Sequence, residues 1–143
     1  MTKKILITGS TDGIGLETAR ILAQQGHHIL LHGRNTLKLS QVRAELSKFT
    51  QVESYLADLS DINSVKKMIK VLIQDHQELD IVINNAGILK SDNEITRIGL
   101  DIRFVVNTIA PYMLAKNLLP ILNQGGRVIN LSSAAQSSCL LYT

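Results

Sequence analysis

The sequence predicts an α/β fold, a doubly wound parallel sheet of about five strands. Two observations carry that expectation. Short, almost wholly apolar runs alternate with longer segments of helical period throughout the 143 residues. A glycine-rich turn joins the first apolar run to the first helix. Strands this apolar need helices on both faces, and right-handed crossovers then wind the sheet outward from its middle in the Rossmann-type arrangement.

Residues 3–9, ending in KILITG, form a short apolar run closed by glycine, as a buried strand does. IGLETARILAQQG (14–26) places Leu16, Ala19, Leu22 and Ala23 on one side of a helix, with Gly26 suited to its C-cap. HILLHG (28–33) is a second buried strand. Asn35 can cap a helix on which Leu39, Val42, Leu46 and Phe49 recur every three or four residues. VESYLAD (52–58) is a third strand. Ser60 or Asp61 then caps a helix with Val65, Met68, Ile69, Leu72 and Ile73 on its core face. LDIVINNAG (79–87) is the fourth strand, a helical region spans 96–122, and RVINLSS (127–133) is the fifth strand.

Size and composition suit one domain over 1–143, at 45% hydrophobic and 19% charged residues. A formal charge of +3, with no basic cluster larger than the pairs Lys3-Lys4 and Lys66-Lys67, argues against a nucleic-acid partner. The single cysteine, Cys139, forms no internal disulfide and fits a reducing compartment. His27, His28, His32 and His76 lack ligand spacing, so no metal is expected. The apolar run at the N-terminus breaks at Gly9, too short for a signal core or a membrane span. The expected location is the cytoplasm, without a membrane partner.

ITGSTDGIGLE (7–17) lies where the first strand meets the first helix. Glycines there let the backbone turn sharply and let a diphosphate approach, while the helix N-terminus offers unpaired N–H groups. A tight turn without ligand competes for an isolated glycine triplet; the flanking strand and helix favour nucleotide binding. Where a site choosing NAD carries an acidic residue, at the end of the second strand, this sequence has Gly33 followed by Arg34. A glycine leaves room for a 2′-phosphate and a guanidinium can bind it through a forked contact, so NADP(H) is favoured over NAD(H). Arg34 as a plain surface residue is the competing reading.

TGSTDGIG, NNAG and VINLSS, in that order and on these elements, resemble the short-chain dehydrogenase/reductase family over the whole chain. The resemblance implies that Gly9, Ser10, Gly13, Ile14 and Gly15 line the diphosphate. It further implies that Asp58 accepts from the adenine amino group with Leu59 beside it, and that Asn85, Ala86 and Gly87 brace the central strand near the cofactor ribose. The implied reaction is hydride transfer between the nicotinamide and a carbonyl or alcohol carbon of a small molecule. Of the family's proton-handling asparagine, serine, tyrosine and lysine, Asn107 and Ser133 match the first two. Pro111, four residues past Asn107, has no N–H for the Asn107 carbonyl and should kink the helix there. In the family the freed carbonyl holds a proton-relaying water; a kink without chemistry is the competing view.

Tyr142 follows Ser133 too closely to be the family's tyrosine, and the lysine four positions on would fall beyond Thr143. The resemblance therefore covers the cofactor-binding half, truncated before the tyrosine–lysine pair; it implies a sheet incomplete at its C-terminal side and little turnover by this chain alone. A non-catalytic nucleotide-binding module is the second reading. The fifth strand should present an open edge, with Val128 and Ile129 partly exposed, which predicts self-association.

Overall fold

The computed structural model of the chain describes residues 1–133. Cys139 and Tyr142 lie outside the described residues. Strands β1 (Lys4–Ile7), β2 (His28–Gly33), β3 (Val52–Leu56), β4 (Leu79–Asn84) and β5 (Leu122–Asn130) form one sheet in the order β3-β2-β1-β4-β5, with every pair parallel. The predicted fold class is the observed one.

Alternation along the strands builds two cores. Ile5, Ile7, Ile29 and Leu31 pack under α1 (Gly13–Gln24) and α2 (Thr36–Leu46), against Ala19, Ala23, Leu39 and Leu46. Leu6, Leu30 and Val82 face α3 (Ile62–Asp75), meeting Val65, Met68 and Leu72. Each fully buried aliphatic side chain contributes about 1.5–3 kcal/mol, so these two seams hold the three layers together.

The helix starts follow local chemistry. Asp12 accepts from the Gly13 N–H, Asn35 from Lys38 N–H at 3.0 Å and Asp61 from Asn63 N–H at 2.8 Å, each capping donors that the helix itself leaves unpaired. Of the two cap candidates before α3, Asp61 is the one used. Phe49 is 54% exposed rather than core, because α2 stops at Leu46 and the chain turns away. Ile73 sits at the margin of the α3 apolar stripe and is also exposed.

The region predicted as helix from 96 begins as a loop. Thr96 bonds Leu100 through backbone and hydroxyl, and an antiparallel bridge joins Ile95 to Asp101. That local closure delays the helix until Asp101 caps α4 (Ile102–Phe104). The kink expected from Pro111 takes the form of a π-helical turn, Val105–Ile109, between α4 and α5 (Ala110–Leu118). Widening the turn seats the proline at the start of α5, where its missing N–H costs least. Leu114 and Leu118 of α5 join the α3 side of the core. Strand β5 starts five residues earlier than predicted, at Leu122 rather than Arg127, and its register on β4 shifts between Leu79 and Ile81.

Candidate functional site

The strand order reverses direction between β1 and β4, since β1 leads outward to β2 on one side while β4 lies on the other. In open α/β sheets the crevice beyond the C-terminal strand ends at such a reversal takes the ligand. Here a cleft of about 1150 Å³ opens at that place. Its walls include Gly9, Gly13, Ile14, Arg34, Asp58, Leu59, Asn85, Ala86 and Gly87 of the predicted residues.

Two side chains tie the glycine turn to β4. Thr8 Oγ1 accepts from the N–H groups of Asn85 and Ala86, both at 3.0 Å. Asn85 Nδ2 donates back to the carbonyls of Thr8 (3.0 Å) and Gly9 (3.1 Å). Gly9 has φ +64°, and a Cβ there would come within 3.0 Å of Ala86 Cα, so glycine is required twice over. Gly15 does not line the cleft. A Cβ on it would fall 2.2 Å from the Gly9 carbonyl oxygen, so its absence lets α1 start directly behind the turn and point its N-terminus into the cleft.

Ser10 also departs from expectation. Its hydroxyl is fully buried, donates to the His32 carbonyl at 3.2 Å and accepts from His32 N–H at 2.9 Å. It therefore anchors the turn to β2 instead of facing a diphosphate. His32 is the residue that sequence reasoning missed. Its imidazole is buried between Gly9 N–H, 3.0 Å from Nδ1, and the Ala57 carbonyl, 3.1 Å from Nε2. Burial pushes its pKa down to about 4.

At the end of β2, a Cβ on Gly33 would lie 2.7 Å from Thr11 Cγ2. The glycine thus first makes room for the glycine turn itself. Arg34 is exposed, lines the cleft and has no ion-pair partner among the described residues. Nearby, Asp12 puts a carboxylate at the start of α1, and Lys38 Nζ pairs with it at 2.8 Å. The Lys38 bond holds the Asp12 pKa below its ordinary value and offsets a charge that would oppose an anion there.

Asp58 Oδ1 accepts from Ser60 N–H (2.9 Å) and Ser60 Oγ (2.7 Å), which fixes the carboxylate at the cleft wall. Leu59 is buried in the core with one side toward the cleft. Asn107 is spent on its own neighbourhood: Oδ1 accepts from Ile88 N–H and Nδ2 donates to the Ile88 carbonyl, both at 2.8 Å. This pair pins the segment after Gly87 to the π turn. Ser133 is exposed just past β5, whose Asn130 accepts from Asn84 Nδ2 at 2.8 Å. Asn107 thus stands on the π turn and Ser133 three residues past the end of β5. Tyr112 and Lys116 share the spacing of the family's tyrosine–lysine pair, which the sequence reading overlooked. Neither lines the cleft; Lys116 Nζ lies 5.8 Å from the Tyr112 ring centroid on the exposed face of α5.

The family profile described as short chain dehydrogenase matches residues 3–139. The chain belongs to the short-chain dehydrogenase family. Mouse retinol dehydrogenase 12 is 37% identical over 139 residues, covering 93% of this chain and 44% of that protein. Short-chain dehydrogenase TIC 32 A, chloroplastic, of Brassica napus is 32% identical over 142 residues, covering 92% and 44%. A solved short-chain dehydrogenase from Sphingobium yanoikuyae in complex with NADPH superposes with a TM-score of 0.78 at 27% identity, over 92% of this chain and 54% of that one. The chain spans less than half the length of these two curated relatives. No helix among the described residues is long and apolar enough to cross a membrane.

Proposed function

We propose that this chain is the dinucleotide-binding half of an oxidoreductase that moves a hydride between NADP(H) and a carbonyl or alcohol carbon of a small molecule. One observation carries the reading most strongly. The cleft at the strand-order reversal is walled by a glycine turn and α1 N-terminus on one side and on another by Arg34, which has no ion-pair partner among the described residues. The diphosphate would lie against the turn formed by Gly9, Gly13 and Ile14, with Gly15 admitting the helix behind it. Asp58 and Leu59 would flank the adenine, and Asn85, Ala86 and Gly87 the ribose. Arg34 would take the 2′-phosphate, and the NADPH held by the Sphingobium relative supports that choice. Bound NADP(H) would supply the hydride. Asn107 and Ser133 would stand on the nicotinamide side, with Asn107 acting through the Ile88 backbone that it holds.

The chain by itself is proposed to bind cofactor without appreciable turnover, because the one pair with tyrosine–lysine spacing, Tyr112 and Lys116, stands outside the cleft. General acid catalysis alone contributes about 10²–10⁴-fold, so its loss is decisive. Among the described residues β5 is an edge strand, with Ile129 and the following Leu131 exposed and Val128 only partly buried against the core. Self-association through that edge, in the cytoplasm, belongs to the same reading.

Fluorescence titration of the chain with NADPH and NADH tests it. NADPH should bind more tightly, and Arg34→Ala should weaken NADPH by about tenfold or more while leaving NADH unchanged. Equal affinities for the two cofactors would remove Arg34 from its role. No binding of either would remove the function, and ketone reduction by the chain alone would overturn the inactivity.

A further inference from the structure

The glycine turn is held from both sides, by His32 of β2 and by Asn85 just past β4. The Gly9 carbonyl accepts from Asn85 Nδ2, and the Gly9 N–H donates to His32 Nδ1. The chemistry of the partners assigns the ring's tautomer. A backbone N–H can only donate, so Nδ1 carries no proton; a carbonyl can only accept, so Nε2 carries one and gives it to Ala57. One neutral imidazole thus spans the turn after β1 and the loop after β3, where Ala57 immediately precedes Asp58. The strand beneath it is fixed as well: Ser10 N–H bonds the His32 carbonyl at 2.9 Å, and Ser10 Oγ bonds the His32 N–H. His32 is 3% exposed, so its ring nitrogens depend on these two protein partners rather than on bulk water.

We propose that His32 is a positioning residue for the cofactor: its Nε2-protonated ring sets the separation between the turn that receives the diphosphate and the loop that receives the adenine. This rests on the dinucleotide-binding reading above. A ligand spanning both loops needs them at one separation, and a rigid five-membered ring with a bond at each end supplies it. Ligands that touch only one loop need no such gauge.

The asymmetry of the ring makes the proposal separable. Asparagine in place of histidine can present its carbonyl where Nδ1 stood but cannot reach Ala57. Glutamine is long enough to donate to Ala57. Leucine fills the space and makes neither bond.

The experiment measures NADPH and 2′,5′-ADP affinity for wild type, His32→Leu, His32→Asn and His32→Gln, with thermal midpoints and the ¹⁵N shifts of the imidazole. Wild type should show the Nε2-protonated tautomer with and without cofactor. His32→Leu should bind both ligands roughly tenfold or more weakly. His32→Asn and His32→Gln should each recover part of the loss, in an order that does not follow their thermal midpoints. The Nδ1-protonated tautomer, a His32→Leu variant of undiminished affinity, or affinities that merely track stability would each overturn the proposal. If His32→Leu does not fold, the asparagine and glutamine variants decide by the same criterion. Wild type that binds neither ligand defeats the functional reading, whereas binding that is indifferent to residue 32 defeats this inference alone.

Discussion

His28 and His32 stand four residues apart on β2, face the same side of the sheet and are both buried, yet they keep different company. The His32 ring, at the cleft end, bonds only backbone. His28, at the opposite end, belongs to a side-chain cluster. Its Nε2 lies 2.8 Å from Glu53 Oε1, while the Tyr55 hydroxyl lies 2.7 Å from His76 Nε2 and 3.2 Å from both Glu53 and Asp75. Side chains bonded to side chains can relax together, so that end contributes stability and tolerates adjustment. A side chain bonded to two loops holds their backbones, so the cleft end turns packing into ligand geometry. The difference marks one end of the sheet as the working end.

The largest expected effect breaks the cleft end directly. Gly15→Ala puts a Cβ against the Gly9 carbonyl at 2.2 Å, where only backbone can yield. It should cost about 3 kcal/mol in thermal or denaturant unfolding and abolish NADPH binding. A Gly15→Ala variant with wild-type stability and affinity would break the close-packing argument.

Acid should sharpen the comparison next. Burial holds His32 at about 4, below its ordinary 6.5. The unfolded chain therefore takes up a proton between those values that the folded chain refuses. The His32 contribution is complete above about pH 6.5 and is lost as the pH falls toward 4, amounting to about 3 kcal/mol. Burial pushes His28 and His76 down as well, with Glu53 pulling both the other way, so their share has the same sign and a smaller weight. Urea unfolding across this range should be visibly flatter for His32→Asn than for wild type.

The smallest effect tests the far end. Tyr55→Phe removes a hydroxyl that links His76 to two carboxylates and should cost about 1–2 kcal/mol. The affinity for NADPH should be unchanged in the same titration. A loss of affinity there would show that the two ends are not separate.

Much of the fold was legible because it is written in near neighbours. Alternating apolar runs marked all five strands, Asn35 announced the start of α2, and glycines marked the turn after β1. Where boundaries moved, a contact across the local chain decided: Thr96 closing on Leu100 delayed α4, and Pro111 met a π turn that spacing alone does not disclose. The site was legible as a set of loops, and less so as a set of side chains. Ser10 was expected in the cleft and lies buried against β2; Gly33 was expected to clear a phosphate and first clears Thr11.

By itself the sequence determined the order of strands and helices, the glycine turn and the cation after β2, since each depends on backbone preference or apolar period within a few residues. Tertiary structure alone decided what His32, Ser10 and Asn107 do. Their partners lie some twenty residues away along the chain, and only the packing of strands, helices and the loops between them brings those backbones within a hydrogen bond of each ring, hydroxyl or amide.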